Sequence, residues 1–153
     1  MDNRMYPQGK GMVAQRYIND VLVSFGIERK LRVRQTIAVV NAGFTLLTAL
    51  PGVRWRLTDW AMIAIGGNVT SATSVNIIGT SGGSAVQLAV TAIAALTRSA
   101  VVRAGASNAV VLADGASFVQ MDVNTAVTAI TVGSAITVAT HVDFLVSYVA
   151  DPA

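Results

Sequence analysis

From Gln35 onward the chain is a succession of short β-branched and aromatic runs broken by turn residues, and no stretch there holds a helical period for long. That pattern admits few folds, because many short strands at close spacing must pair into a sandwich or a barrel. The runs predict strands near 35–40, 44–48, 53–65, 73–79, 85–92, 100–103, 109–112, 117–121, 127–132 and 142–149. In the last of these Val142, Phe144, Val146 and Tyr148 alternate with Asp143, Leu145, Ser147 and Val149, so one face is large and apolar and the other smaller and mixed. The breaks fall at Leu50-Pro51-Gly52, Gly66-Gly67-Asn68, Gly79 to Ser84, Ala104 to Asn108 and Asp114-Gly115. Of these, Asp-Gly is the strongest short hairpin signal. Ala92 to Ser99 is where a helical turn competes with strand, and no repeat of fixed period is present.

The segment ahead of Gln35 differs in charge. Its basic residues Arg4, Lys10, Arg16, Arg29, Lys30, Arg32 and Arg34 face only Asp2, Asp20 and Glu28, whereas the remainder is nearly neutral. Val13, Tyr17, Ile18, Val21, Leu22 and Phe25 fall at helical spacing, with Gly26 where a helix would stop. They predict a short amphipathic helix; the competing reading is a strand through Val21, Val23 and Phe25. The expected organisation is a basic N-terminal arm over 1–34 and a β-sandwich domain over 35–153.

Composition narrows what such a chain can do. There is no cysteine, which removes disulfides, thiolate metal sites and cysteine nucleophiles. Hydrophobic residues make up 53% and charged residues 12%, which leaves Ala, Val and Thr to face solvent or a partner and points to a homo-oligomer, a dimer or trimer. The charge-free stretch from Trp60 to Thr97 is cut by glycines into pieces too short to span a membrane. The N-terminus does not read as a signal peptide, since Val21 to Phe25 is too short an apolar run. A cytoplasmic product is expected.

The search for chemistry returns little. His141 and Asp143 would share a strand face, but one His-x-Asp in a Ser- and Thr-rich chain, without a nucleophile elbow, is a weak triad. Gly79 to Ser84 is glycine-rich, yet no lysine follows it and no helix opens after it, so it reads as a plain loop rather than a phosphate loop. Asp59, Asp114, Asp122 and Asp143 are scattered singly, against a calcium or glycosidase site. No enzyme, cofactor or metal is expected.

Two features carry binding potential. The cluster Arg29, Lys30, Arg32, Arg34 places Arg32 and Arg34 on one side of an extended strand, which suits an acidic protein surface; it lacks the interleaved aromatics of a nucleic-acid reader. Trp55 and Trp60 with Arg54 and Arg56 read equally as a contact surface or as core. Together with Tyr17 and Leu22 of the apolar stripe, Arg29, Lys30, Arg32, Arg34, Arg54, Trp55 and Arg56 are the candidate partner-binding residues.

The runs Val40 to Gly52, Met62 to Gly67 and Val110 to Phe118 resemble a group of small proteins encoded among tailed-bacteriophage structural genes, and through them jelly-roll capsid decoration (cement) proteins. The resemblance covers roughly Gln35 onward. It implies a jelly-roll-like, all-β sandwich located on the virion surface, bound to the major capsid protein and bracing neighbouring subunits. It transfers no functional residue individually. The alternative is a receptor- or glycan-binding module of a phage tail or head fibre.

Overall fold

The structure, a computed structural model, describes residues 15–18, 21–106 and 117–153. Its strands are β1 (Gln15–Ile18), β2 (Val21–Ser24), β3 (Glu28–Thr36), β4 (Phe44–Leu47), β5 (Val53–Ile65), β6 (Val69–Ser81), β7 (Ser84–Ala92), β8 (Val101–Arg103), β9 (Val127–Val138) and β10 (His141–Pro152). A helix, α1 (Ile37–Ala42), and a 3-10 turn at Ile93–Ala95 lie between strands.

Two four-stranded antiparallel sheets pack face to face, in the orders β3-β10-β5-β8 and β4-β9-β6-β7, while β1 and β2 form a separate two-stranded sheet. Counted from β3, the first sheet joins the first, eighth, third and sixth strands and the second joins the second, seventh, fourth and fifth. The chain crosses between sheets at every connection except the β6–β7 hairpin, which is the winding of an eight-stranded jelly roll.

Alternation builds the core, and one bulge corrects it. Val142, Phe144 and Val146 of β10 point between the sheets, as expected, and all are buried. In β5, strict alternation from Val53, Trp55 and Leu57 would turn Asp59 inward and Trp60 outward. Instead Ser147 pairs with Asp59 and Tyr148 with Leu57, so Thr58 is skipped. The extra residue flips the register, placing Trp60 and Met62 in the core and Asp59 outside.

Four expectations need correction. First, Gln15–Ile18 and Val21–Ser24 are paired antiparallel strands rather than an amphipathic helix, with Tyr17 opposite Leu22. A helix of that length is marginal in water, and β-branched Val21 and Val23 favour the competing strand, whose Val23 joins the core. Second, the sandwich does not begin at residue 35. Glu28–Thr36 is one continuous edge strand paired along β10, and Leu31 and Val33 pack on the core, so the boundary between 34 and 35 cuts through β3. Third, the strand expected over 35–40 ends at Thr36, whose hydroxyl accepts from the Val39 N–H and caps α1; Gly43, at φ 81°, ends it. Fourth, 117–121 is not a strand, although Met121 is fully buried. The strand expected at 109–112 and the Asp114-Gly115 turn lie outside the described residues.

Candidate interaction faces

The two sheets turn unlike surfaces to their surroundings. Every charged strand residue of the sandwich belongs to β3, β5, β8 or β10, and none of the residues of β4, β6, β7 and β9 is charged. Register places Lys30, Arg32 and Arg34 of β3 beside Ser147, Leu145 and Asp143 of β10, then Asp59, Ala61 and Ile63 of β5, then Arg103 and Val101 of β8. This outer face is therefore basic at its two edges, with a local apolar patch of Leu145, Ala61 and Ile63 between them and exposed Asp59 beside that patch.

Asp143 organises it. Its carboxylate is closed off from solvent and accepts from Arg34 Nε at 2.6 Å, Arg34 Nη2 at 3.0 Å and Arg32 Nη2 at 2.6 Å. The hydrogen bonds from Arg34 hold its pKa down to about 2; burial works the other way, and the bond from Arg32 and the two positive charges add to the lowering. The arginine side chains remain 63% (Arg32) and 51% (Arg34) exposed, so each is held by Asp143 while the rest of it faces solvent. The charges also shield β3, an edge strand, from pairing with another chain.

The other candidate residues divide. Lys30 is exposed beside Ser147. Arg29 lies at the end of the sandwich, where it donates to Ser24 Oγ at 2.7 Å over a cavity of about 70 Å³ lined by Val23, Leu50, Trp55 and Tyr148. Arg56 pairs with Asp151 at 3.3 Å, and Gln120 donates to the same carboxylate. Arg54 is half-buried, and its Nε has no hydrogen-bond partner among the described residues. Trp55 is not a surface contact: it is 6% exposed, stacks edge-on with Tyr148 and donates from Nε1 to the Thr48 carbonyl. Trp60 is also core.

Two features are tied up internally. Gly82 and Gly83, at φ 60° and 73°, form the two-residue β6–β7 turn, and their N–H groups donate to the two carboxylate oxygens of Asp122 at 3.0 and 2.8 Å. The glycine loop thus already holds an anion of its own chain. His141 contacts Thr140 Oγ1 through Nδ1, while Asp143 is engaged by the arginines rather than by His141. Among the described residues no group of three metal-ligating side chains stands together, and no helix is long and apolar enough to cross a membrane.

Sequence reasoning found the arginines and missed their partner. Asp143 is separated from Arg34 by 109 positions, and only the strand order brings them together. The available signal was the alternation of β10, which sets Asp143 on the mixed face. The fold and these faces define an all-β jelly-roll sandwich with one charged and one uncharged sheet. No protein-family model, curated protein or solved structure matches the chain.

Proposed function

We propose that this chain is a non-enzymatic structural protein of a tailed-phage particle that binds the outside of the capsid shell and braces neighbouring major capsid subunits. The observation that carries this reading is the outer face of the β3-β10-β5-β8 sheet. Lys30, Arg32 and Arg34 on β3 and Arg103 on β8 flank an apolar patch of Leu145, Ile63 and the half-exposed Val101, with exposed Asp59 at its border, all on paired strands. Arginines pre-set by a buried carboxylate lose little freedom on docking, and an apolar centre with a charged rim is the anatomy of a specific protein interface. An acidic patch on a shell subunit is the matching surface. The rim charges set the encounter rate and the apolar strip the residence time. Many copies on one shell multiply a modest single contact.

The test is to incubate labelled protein with purified shells and count bound copies. Lys30→Glu with Arg103→Glu leaves the Asp143 cluster intact and should slow association and weaken its salt dependence. Val101→Asp should shorten residence. Wild-type kinetics for both variants, or no decoration by the wild type, would overturn the assignment.

A further inference from the structure

The uncharged sheet has no role in that reading. Its outer positions are set by register and mix aliphatic side chains, Ile130 and Val132 on β9, Ile78 on β6 and Val90 on β7, with polar ones such as Thr45 on β4 and Gln87 on β7. Between Ile130 and Val90 stands Asn76, which is only 2% exposed and accepts from Ser74 Oγ at 2.7 Å, while Gln87 beside Ile78 is exposed. Val132 is 39% exposed, and a shallow depression of about 290 Å³ lies over Gly43, Thr45, Ile78 and Ile130.

We infer that this sheet is a self-association face, on which a second copy of the chain stacks its own β4-β9-β6-β7 sheet about a twofold axis. Three considerations select that occupant. Homodimer interfaces are the more apolar class, and a twofold contact needs only a patch complementary to itself, which a face of aliphatic, hydroxyl and amide side chains without ions supplies. The area suffices: four strands at about 4.8 Å spacing and a mean length near 30 Å give about 600 Å² per face, so two faces bury about 1,200 Å², the floor for a stable specific interface. Electrostatics decides the orientation. Stacking through the uncharged sheets leaves the two basic faces about 30 Å apart, several times the ~8 Å Debye length at physiological salt. Stacking through the charged sheets would instead take Lys30, Arg32, Arg34, Arg103 and Asp59 out of water, which costs more than it returns unless each charge finds a well-placed partner. The inference does not rest on the capsid reading, and a dimer of this kind would leave both basic faces free.

Sedimentation of the full chain in buffer, without shells, tests it. The wild type should be a dimer at about 10 μM, and Val132→Lys should weaken it by about 100-fold, because a lysine on the axis-facing sheet meets its own copy without a counter-ion. Val101→Lys, on the opposite sheet, should leave the dimer intact. Because the chain has no cysteine, Val132→Cys and Val101→Cys can each carry a single nitroxide label. The Val132 pair should be separated by under about 25 Å and the Val101 pair by more than about 30 Å, given sheets spaced at about 10 Å. The label distances decide the matter even if Val132→Lys fails to fold. A monomeric wild type at about 100 μM, or a short Val101 distance beside a long Val132 distance, would overturn the assignment.

Discussion

Replacing Arg32 and Arg34 together by alanine should destabilise the protein in a way that depends on pH. The double substitution removes the three side-chain hydrogen bonds that Arg32 and Arg34 donate to Asp143 and leaves its carboxylate closed in without a counter-charge. Removing one side of a buried ion pair costs about 3–5 kcal/mol, and the half-exposed guanidinia place this site at the lower end, near 3 kcal/mol. The lowered pKa of Asp143, from 3.8 to about 2, gives an independent scale of about 1–2 kcal/mol after allowance for solvent screening at the arginines. Its sign follows from linkage: a depressed carboxylate contributes fully above 3.8 and loses its contribution as pH falls toward 2. In the double variant burial alone acts on Asp143, so its folded pKa rises and acid relieves the penalty by protonating it. The gap between wild type and variant should thus be about 3 kcal/mol near neutral pH and about 1 kcal/mol or less at about pH 3. Urea unfolding followed by the fluorescence of buried Trp55 and Trp60 would read it, as a shift in midpoint of about 1–2 M near neutral pH. A variant within about 0.5 kcal/mol of wild type, or a gap that ignores pH, would refute the account of Asp143 as a buried, arginine-held charge.

Gly79→Ala should cost about 1–3 kcal/mol, because a Cβ there would collide with Met121 Sδ and crowd Leu88, and Met121→Ala should relieve part of that loss in a double-mutant cycle of urea midpoints. Asp122→Ala should cost about 1–2 kcal/mol by stripping the acceptors from Gly82 and Gly83, with faster amide exchange confined to the β6–β7 turn; Asp122→Asn should retain most of it. Deleting residues 1–32 should abolish the cooperative melt seen by circular dichroism, since it removes Val23 and Leu31 from the core and most of the strand that pairs with β10.

Strand positions were legible wherever side chains alternate, because burial on one face writes a period of two into the sequence. That holds for β5, β7 and β10, which lie close to where the pattern places them. The failures share a cause. Ile37, Val39 and Val40 are β-branched, yet the Thr36 cap and Gly43 stop prevailed over local propensity. Arg29 to Arg34 looked like an arm because charge dominates the segment; only Leu31 and Val33, at every second position, mark it as half-buried strand. Trp60 could not be assigned a face from sequence, since a single skipped residue at Thr58 reverses it. Of the candidate partner-binding residues, Arg29, Lys30, Arg32 and Arg34 are exposed and Arg54 and Arg56 half-buried, and that Arg32 and Arg34 meet Asp143 while Arg56 meets Asp151 depends on pairings between distant strands.

Strand order also fixes when the molecule can become whole. β10 sits between β3 and β5 in the charged sheet, yet it is synthesised after both. Until it emerges, those two strands have no common neighbour, and Leu31, Val33, Trp60 and Met62 lack the Phe144 and Val146 side chains that stand between them. Closing the gap requires contacts between residues more than a hundred positions apart, which is the signature of slow folding, on the millisecond-to-second scale. The nascent chain therefore carries two open hydrogen-bonding edges for most of its synthesis, so yield in a cell should depend on temperature and on chaperone capacity more steeply than the stability of the finished sandwich would suggest.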